Sequence, residues 1–187
     1  AGLDDRYISG LDMVTDCKLI FKTSHDGKGS VRVHIVPIVD GTPLNLKGSV
    51  RRDFNAIHSK SIQKKMEIAK GTLDLAKDYL DFITKETIKL GRIEITEDLK
   101  KRIIEKLIPM GNDLSDRAEA TANARRAEVA SYTAGNTALA FVLGISKYVN
   151  NAEARRKTKT YEKARYNLIA NGHAIVDKAY ALILANI

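Results

Sequence analysis

Few residues of this chain have types and spacings that suggest chemistry, and the first candidates are histidines. His25 and Asp26 are adjacent, and a carboxylate beside an imidazole is what acid–base catalysis requires. They stand in a glycine-containing turn, however, where such side chains satisfy local backbone groups. His34 and His58 have no cysteine or carboxylate at the spacing of metal ligands. We therefore predict no catalytic residue, no metal or other cofactor and no small-molecule substrate, and we expect the protein not to be an enzyme.

The stronger chemical signal is a basic segment with interleaved tyrosines near the end of the chain. Residues 155–166 contain six cations and one carboxylate, Glu162. Cations neutralise phosphates and aromatic rings stack on bases, so this combination is typical of single-strand binding. The same pattern also fits a solvated helix face with packed tyrosines. The predicted nucleic-acid-binding residues of the segment are Arg155, Arg156, Lys157, Lys159, Tyr161, Lys163 and Arg165.

The two tyrosines of this segment, Tyr161 and Tyr166, are five residues apart. On one helix they would point about 140° apart, so they cannot share a narrow face. We expect one of them to be packed and the other, Tyr161, to be exposed for stacking. A second basic group lies where a predicted strand passes into a helix. It adds Arg51, Arg52, Lys60 and Lys64 to the predicted nucleic-acid-binding residues.

The charge of the chain is unevenly distributed. The net charge is +8, yet residues 1–50 carry six basic and six acidic side chains. Residues 51–187 carry 25 basic against 17 acidic side chains and therefore hold the whole excess. A positive field of this kind favours nucleic acid or another polyanion as a partner.

The element that must position these residues is a long helix predicted over 59–90. Apolar residues recur in it at alternating spacings of four and three, which is typical of a buried helical seam. We predict that Leu73 and Leu80, both on this seam, are buried against a sheet or another helix. The seam contains Ile62, Met66, Ala69, Leu73, Ala76, Leu80, Ile83, Thr87 and Leu90.

Strand-like runs precede the long helix. Two of them, 18–23 and 30–39, flank a glycine-containing turn and predict a hairpin. In the second run, Arg32 and His34 are predicted to face solvent because side chains alternate between the two faces of a strand. With a further strand between 44 and 57, the sheet should have three or four strands.

Start signals divide the rest of the chain into several helices, and Thr96 and His173 each stand at a predicted helix start. We therefore predict an α+β fold, with a small antiparallel β-sheet backed by a long α-helix and followed by a helical C-terminal half. Residues 1–187 are expected to form a single domain, mainly β over 1–58 and mainly α over 59–187.

Composition points to a globular protein. The 187 residues are 44% hydrophobic, which is enough for a buried core. No apolar run approaches the roughly 18 residues of a membrane span, so we expect no membrane partner. The lone Cys17 is interpreted as a small hydrophobe in a strand. We expect the protein in the cytoplasm of a bacterial host cell or in a virion.

Three segments share their motifs with one known family. The run 21–31 reads FKTSHDGKGSV, the run 49–58 ends in Ile-His before the long helix, and 135–138 with 148–150 read GNTA and YVN. They resemble, in the same order, three features of a widespread phage and plasmid family that is catalogued only as a domain of unknown function. These features are its NSHDGSSA hairpin, its strand ending in Arg-His and its Gly-Thr-Ala helix ending in Tyr-Val-Asp. The resemblance runs over most of residues 18–187. It implies the α+β fold and an origin in a mobile element.

DNA binding is the leading functional hypothesis, in a phage or mobile-element protein of the recombination type. Single-stranded DNA is the expected partner, and a homo-oligomer is the expected assembly. Phage single-strand annealing proteins also have strands followed by a long helix with basic exposed side chains. This likeness concerns the fold alone. The alternative is a structural or assembly protein of a virion or mobile element without catalytic activity, in which the long seam and the basic faces serve subunit contacts.

Overall fold

The computed structural model describes residues 2–8, 13–22, 30–48, 53–57, 62–110, 115–151, 160–162, 165, 168–169 and 172–187. In this part of the chain, five strands precede five helices, so the predicted α+β class is confirmed. The strands are β1 (Gly2–Ile8), β2 (Met13–Lys22), β3 (Ser30–Val39), β4 (Thr42–Pro43) and β5 (Asp53–Ile57). The helices are α1 (Ile62–Gly91), α2 (Glu97–Leu107), α3 (Asp116–Tyr132), α4 (Ala138–Asn151) and α5 (Ala174–Leu184).

The chain divides into two compact units. The first comprises Ala1–Glu86 with Lys159–Gly172, and the second comprises Thr87–Thr158 with His173–Ile187. The boundary between them falls inside α1 rather than between the strands and the helices. The single domain expected from the sequence stays a prediction.

The first unit contains an antiparallel sheet with the order β1-β2-β3-β4, and β5 also pairs with β3. Because Leu19 stands opposite Ile35 and Phe54 stands opposite Val33, β3 has β2 on one edge and β5 on the other. The five described strands exceed the three or four expected. The main addition is β1, whose polar sequence GLDDRYI gives little strand signal and which forms through its pairing with β2.

The burial of His34 corrects one expectation about β3. Arg32 is exposed as predicted, but His34 is only 3% exposed. Every residue of the run 33–37 is buried, so both faces of β3 are covered there. Strict alternation predicts a solvated face only where a sheet is covered on one side.

Helix α1 confirms the long predicted helix, but half of its seam differs from the prediction. From Ala76 onward the seam is buried, and Leu80 is 3% exposed. Before that point it is not, since Met66 is 68% exposed and Leu73 is 48% exposed. The prediction that Leu73 is buried was therefore wrong. Periodicity identifies residues that share a helix face, but it does not reveal how far along the helix that face is covered.

The core of the first unit includes a tyrosine that lies beside the predicted seam. Tyr79 is fully buried, and its hydroxyl donates to the Leu46 carbonyl oxygen at 2.9 Å and accepts from the Leu46 backbone N–H at 3.1 Å. The rings of Tyr79 and Phe82 stack with centroids 6.0 Å apart. The segment 44–48, which follows β4, is thus held against α1 by hydrogen bonds between the Leu46 backbone and the Tyr79 side chain.

In the second unit the helix starts agree with the sequence. The Thr96 hydroxyl accepts from the N–H of Leu99 at 3.2 Å and caps α2 as predicted. The apolar helix α4 buries Leu139, Phe141, Val142 and Ile145 among other residues. Among the described helices, none combines the length and hydropathy that crossing a bilayer needs.

Helix α5 begins at a titratable cap, which predicts a pH effect on stability. His173 Nδ1 accepts from the N–H of Ile175 at 3.3 Å. Burial lowers the pKa of His173 from its ordinary value of 6.5, and the nearby Asp177 carboxylate partly opposes that shift. The folded state therefore prefers the neutral ring, and this contribution to stability is present above pH 6.5 and lost as the pH falls through the lowered pKa.

We expect the thermal midpoint of the protein to fall between pH 7.5 and pH 5 by more than that of His173→Asn, because asparagine supplies a cap oxygen that does not titrate. Thermal unfolding at several pH values, followed by circular dichroism, measures both proteins. Equal pH dependence of the two would contradict the role of His173.

Candidate functional site

The described part of the chain contains only three of the predicted nucleic-acid-binding residues. Lys64 is exposed in the first turn of α1, and Arg165 is exposed on backbone of helical conformation. Tyr161, predicted to be exposed, is half-buried instead. The others, Arg51, Arg52, Lys60, Arg155, Arg156, Lys157, Lys159 and Lys163, lie outside the described residues, as does Tyr166.

The described residues offer neither a cluster of metal ligands nor a reactive cysteine. No three His, Cys, Asp or Glu side chains among them are arranged to hold a metal ion. Cys17 lies in β2 and is fully buried. Burial, reinforced by the charge of Asp16, raises the pKa of Cys17 to about 11. The thiol is therefore protonated at neutral pH and is a poor nucleophile.

A cleft of about 340 Å³, here called the arginine cleft, lies between the end of α2 and the N-terminal half of α3. Its polar lining comes from α3 and its cap, because Arg117, Thr121 and Arg125 recur every four residues and so share one helix face. Ser115 accepts from the N–H of Ala118 at 3.3 Å and begins the helix there. None of the described lining residues is acidic.

The two arginines of this cleft are exposed, and neither has a hydrogen-bond or ion-pair partner among the described residues. Eight residues of helix separate Arg117 from Arg125, which is roughly 12 Å along the axis. Adjacent phosphates of one strand of a DNA duplex are spaced at about 3.4 Å along its axis, so the two guanidinium groups can meet different phosphates of one strand.

A second cleft, here called the lysine cleft, lies between α2 and the C-terminal half of α3 and measures about 320 Å³. Lys100, Lys101 and Arg126 contribute cations to it, and Glu97 and Glu105 contribute carboxylates. Lys100 forms a salt bridge with Glu97. The remaining lining is mainly apolar, from Ile104, Ala127, Ala130 and Ala134.

Sequence reasoning missed both clefts because it ranked segments by their density of charge. The segment 155–166 is far richer in cations than α3, where Arg117 and Arg125 are separated by four alanines and the residues Glu119, Thr121 and Asn123. The spacing of Arg117, Thr121 and Arg125 was the available signal, since residues four apart lie on one face of a helix. Nothing in the sequence indicates that Lys100 is buried.

Comparison with known proteins identifies one family. Residues 4–170 match the family described as Domain of unknown function (DUF932). No curated protein and no solved structure matches the chain. The match begins earlier than the resemblance over 18–187, and it includes the sheet and helices α1 to α4. Both clefts are built from residues within it. The chain therefore belongs to the DUF932 family, a domain of unknown function.

Proposed function

We propose that this protein binds nucleic acid without catalysing a reaction, and that the arginine cleft contributes to the binding surface. The observation that carries the proposal is the pair Arg117 and Arg125, which line one cleft without any partner in the described chain. Arginine presents a planar fork of N–H donors that matches a phosphate, and it stays charged at every physiological pH. Two such groups, with no carboxylate among the described lining residues, favour a polyanionic ligand.

Charge elsewhere in the chain supports the same proposal. The net charge is +8, and the whole excess lies after residue 50. The basic segment 155–166 and the group around Lys64 supply further cations that can neutralise phosphates. Interleaved tyrosines suit single-stranded DNA, because bases that are not paired can stack on them.

The origin of the protein and its cellular role are also proposals. The similarity of 21–31 to the NSHDGSSA hairpin supports a phage or plasmid origin. The likeness of fold to phage single-strand annealing proteins supports a role in recombination, such as the annealing of single strands. In that setting the protein acts in the cytoplasm of a bacterial host, as a homo-oligomer along the DNA.

The test is a titration of fluorescent single-stranded and double-stranded DNA at several salt concentrations, with the protein and a variant carrying Arg117→Gln and Arg125→Gln. Each phosphate contact that is lost should flatten the dependence of log affinity on log salt by roughly 0.7 on single strands and 0.9 on duplex. Affinity should fall similarly for all sequences, since phosphate contacts carry no base information.

A matched control removes the same charge from a neighbouring surface. Arg102→Gln with Lys106→Gln also deletes two exposed cations, but neither residue lines the arginine cleft or the lysine cleft. We expect the control to keep nearly the whole salt slope of the parent protein. Equal losses in both variants would mean that only total charge matters, and a parent protein that fails to bind DNA at low salt would refute the proposal.

The second candidate is a structural or assembly protein, and one observation favours it. The seam of α1 continues without burial through Met66 and Leu73, which are 68% and 48% exposed. Exposed apolar side chains at heptad spacing are typical of helices that pack against another chain. A stable oligomer that does not bind DNA would favour this function over nucleic-acid binding.

A further inference from the structure

We infer that the lysine cleft binds a small organic anion, with a carboxylate or phosphate held by Lys100 and Arg126 and an apolar body lying on the alanines of α3. This ligand differs in kind from the polymer proposed above, and the site is formed by other residues. The inference therefore does not depend on nucleic-acid binding.

The central observation is a buried lysine whose donors are not all used. Lys100 is only 3% exposed, although lysine is among the residues least often buried. Its Nζ donates to Glu97 Oε1, and the Glu97 side chain is 80% exposed. An ammonium group has three N–H donors, so two of them have no acceptor among the described residues. An anion in the cleft supplies the missing acceptors and offsets the cost of burying the charge.

The second cation is held in place by its own hydrogen bonds. Arg126 Nε donates to the Ile108 carbonyl oxygen at 3.1 Å, and its Nη1 donates to Asn123 Oδ1 at 3.2 Å. These bonds fix the plane of the guanidinium, while the Nη2 donors have no partner in the described chain. A group that is already oriented loses little conformational entropy when it binds an oxyanion.

The rest of the lining suggests what the anion is attached to. Ile104, Ala127 and Ala130 offer apolar surface, and the two alanines leave room above it. The volume of about 320 Å³ is at the lower end of the range of small-molecule pockets. Lys100, Lys101 and Arg126 outnumber Glu97 and Glu105, so the lining is net positive and favours an anionic ligand. A compact anion with an apolar body satisfies all three features.

The experiment titrates the 187-residue protein with four probes and follows amide chemical shifts by NMR. Phenyl phosphate and benzoate carry both an anion and an apolar ring, inorganic phosphate carries only the anion, and benzyl alcohol carries only the ring. We expect at least one of the two aromatic anions to bind about tenfold more tightly than inorganic phosphate or benzyl alcohol, with shifts concentrated on α2 and α3. The tighter of the two aromatic anions identifies the charged group as phosphate or carboxylate.

Three variants locate the binding in the cleft. Lys100→Met keeps the length of the side chain and removes the charge, so affinity should fall about tenfold or more, as for loss of a charge-assisted hydrogen bond. Ala130→Leu fills the cleft without changing any charge and should abolish binding, which keeps the test open if Lys100→Met does not fold. Lys106→Met, on the same helix but outside the cleft, should leave the affinity unchanged.

The inference is overturned if neither aromatic anion perturbs residues of the cleft. It is also overturned if Ala130→Leu folds and binds as the parent protein does, or if Lys106→Met weakens binding as much as Lys100→Met. Because these variants leave Arg117 and Arg125 unchanged, their effects are separable from failure or success of the DNA titration.

Discussion

Replacing Leu80 by alanine is expected to lower the free energy of unfolding by about 2 to 5 kcal/mol, the usual loss for a buried leucine. Leu80 is 3% exposed on the covered part of α1. The matched control is Leu73→Ala, which changes the same residue type two turns earlier on the same seam. Since Leu73 is 48% exposed, its loss should stay within about 0.5 kcal/mol. Urea unfolding at low protein concentration measures both differences.

Comparable losses of unfolding free energy in Leu80→Ala and Leu73→Ala would contradict the exposure of Leu73 in the isolated chain. If the stability of the parent protein also rises with protein concentration, the seam is covered by another copy, because association stabilises only the folded state. Sedimentation velocity on the parent protein and on Leu73→Ala separates these cases. A smaller assembly in Leu73→Ala would support the structural role.

Removing the hydroxyl of Tyr79 should destabilise the first unit by about 2 to 4 kcal/mol, although Tyr79→Phe keeps the ring. The hydroxyl is the partner of both the N–H and the carbonyl oxygen of Leu46, and Leu46 and Tyr79 are fully buried. Phenylalanine leaves both backbone groups without a partner in the core, and each such group costs about 1 to 3 kcal/mol. Urea unfolding again provides the measurement.

The control for this variant is Tyr132→Phe in α3. Tyr132 is 37% exposed, and its ring contacts Tyr148 edge-on, an interaction that phenylalanine preserves. We expect a loss within about 0.5 kcal/mol there, as for other surface substitutions. Should Tyr79→Phe be as mild as Tyr132→Phe, the segment 44–48 must find other partners for its backbone, and the link between that segment and α1 would be unimportant for stability.

The two proposed binding clefts lie on different faces of α3, and this arrangement has a practical consequence. The arginine cleft uses Arg117 and Arg125, whereas the lysine cleft uses Arg126 and the alanines that follow. Consecutive residues of a helix are about 100° apart around the axis, so Arg125 and Arg126 point to different sides. A double variant that combines one change from each cleft should therefore lose, for each ligand, the same binding free energy as the corresponding single variant. This additivity holds as long as binding of one ligand does not change the affinity for the other.

Local patterns in the sequence determined the features that depend on near neighbours. The alternating spacing of four and three predicts a helix over 59–90, and α1 spans Ile62–Gly91. Thr96 and His173 predict helix starts, and both cap helices in the structure. The β2–β3 hairpin is predicted by its two apolar runs and their turn. These features follow from hydrogen bonds and side-chain directions within a few residues, which the order of amino acids specifies directly.

Only the tertiary structure decided which of these surfaces are covered and which charges lack partners. Leu73 and Leu80 occupy equivalent places in one pattern, yet one is half exposed and the other is buried. His34 alternates like a solvent-facing residue but lies in a stretch that is covered on both faces. Lys100, Arg117 and Arg125 are all cations on amphipathic or alanine-rich helices. Yet Lys100 is buried, whereas Arg117 and Arg125 line a cleft and have no partner in the described chain. Burial and pairing depend on the elements that long-range contacts bring opposite each residue, and neither periodicity nor charge density carries that information.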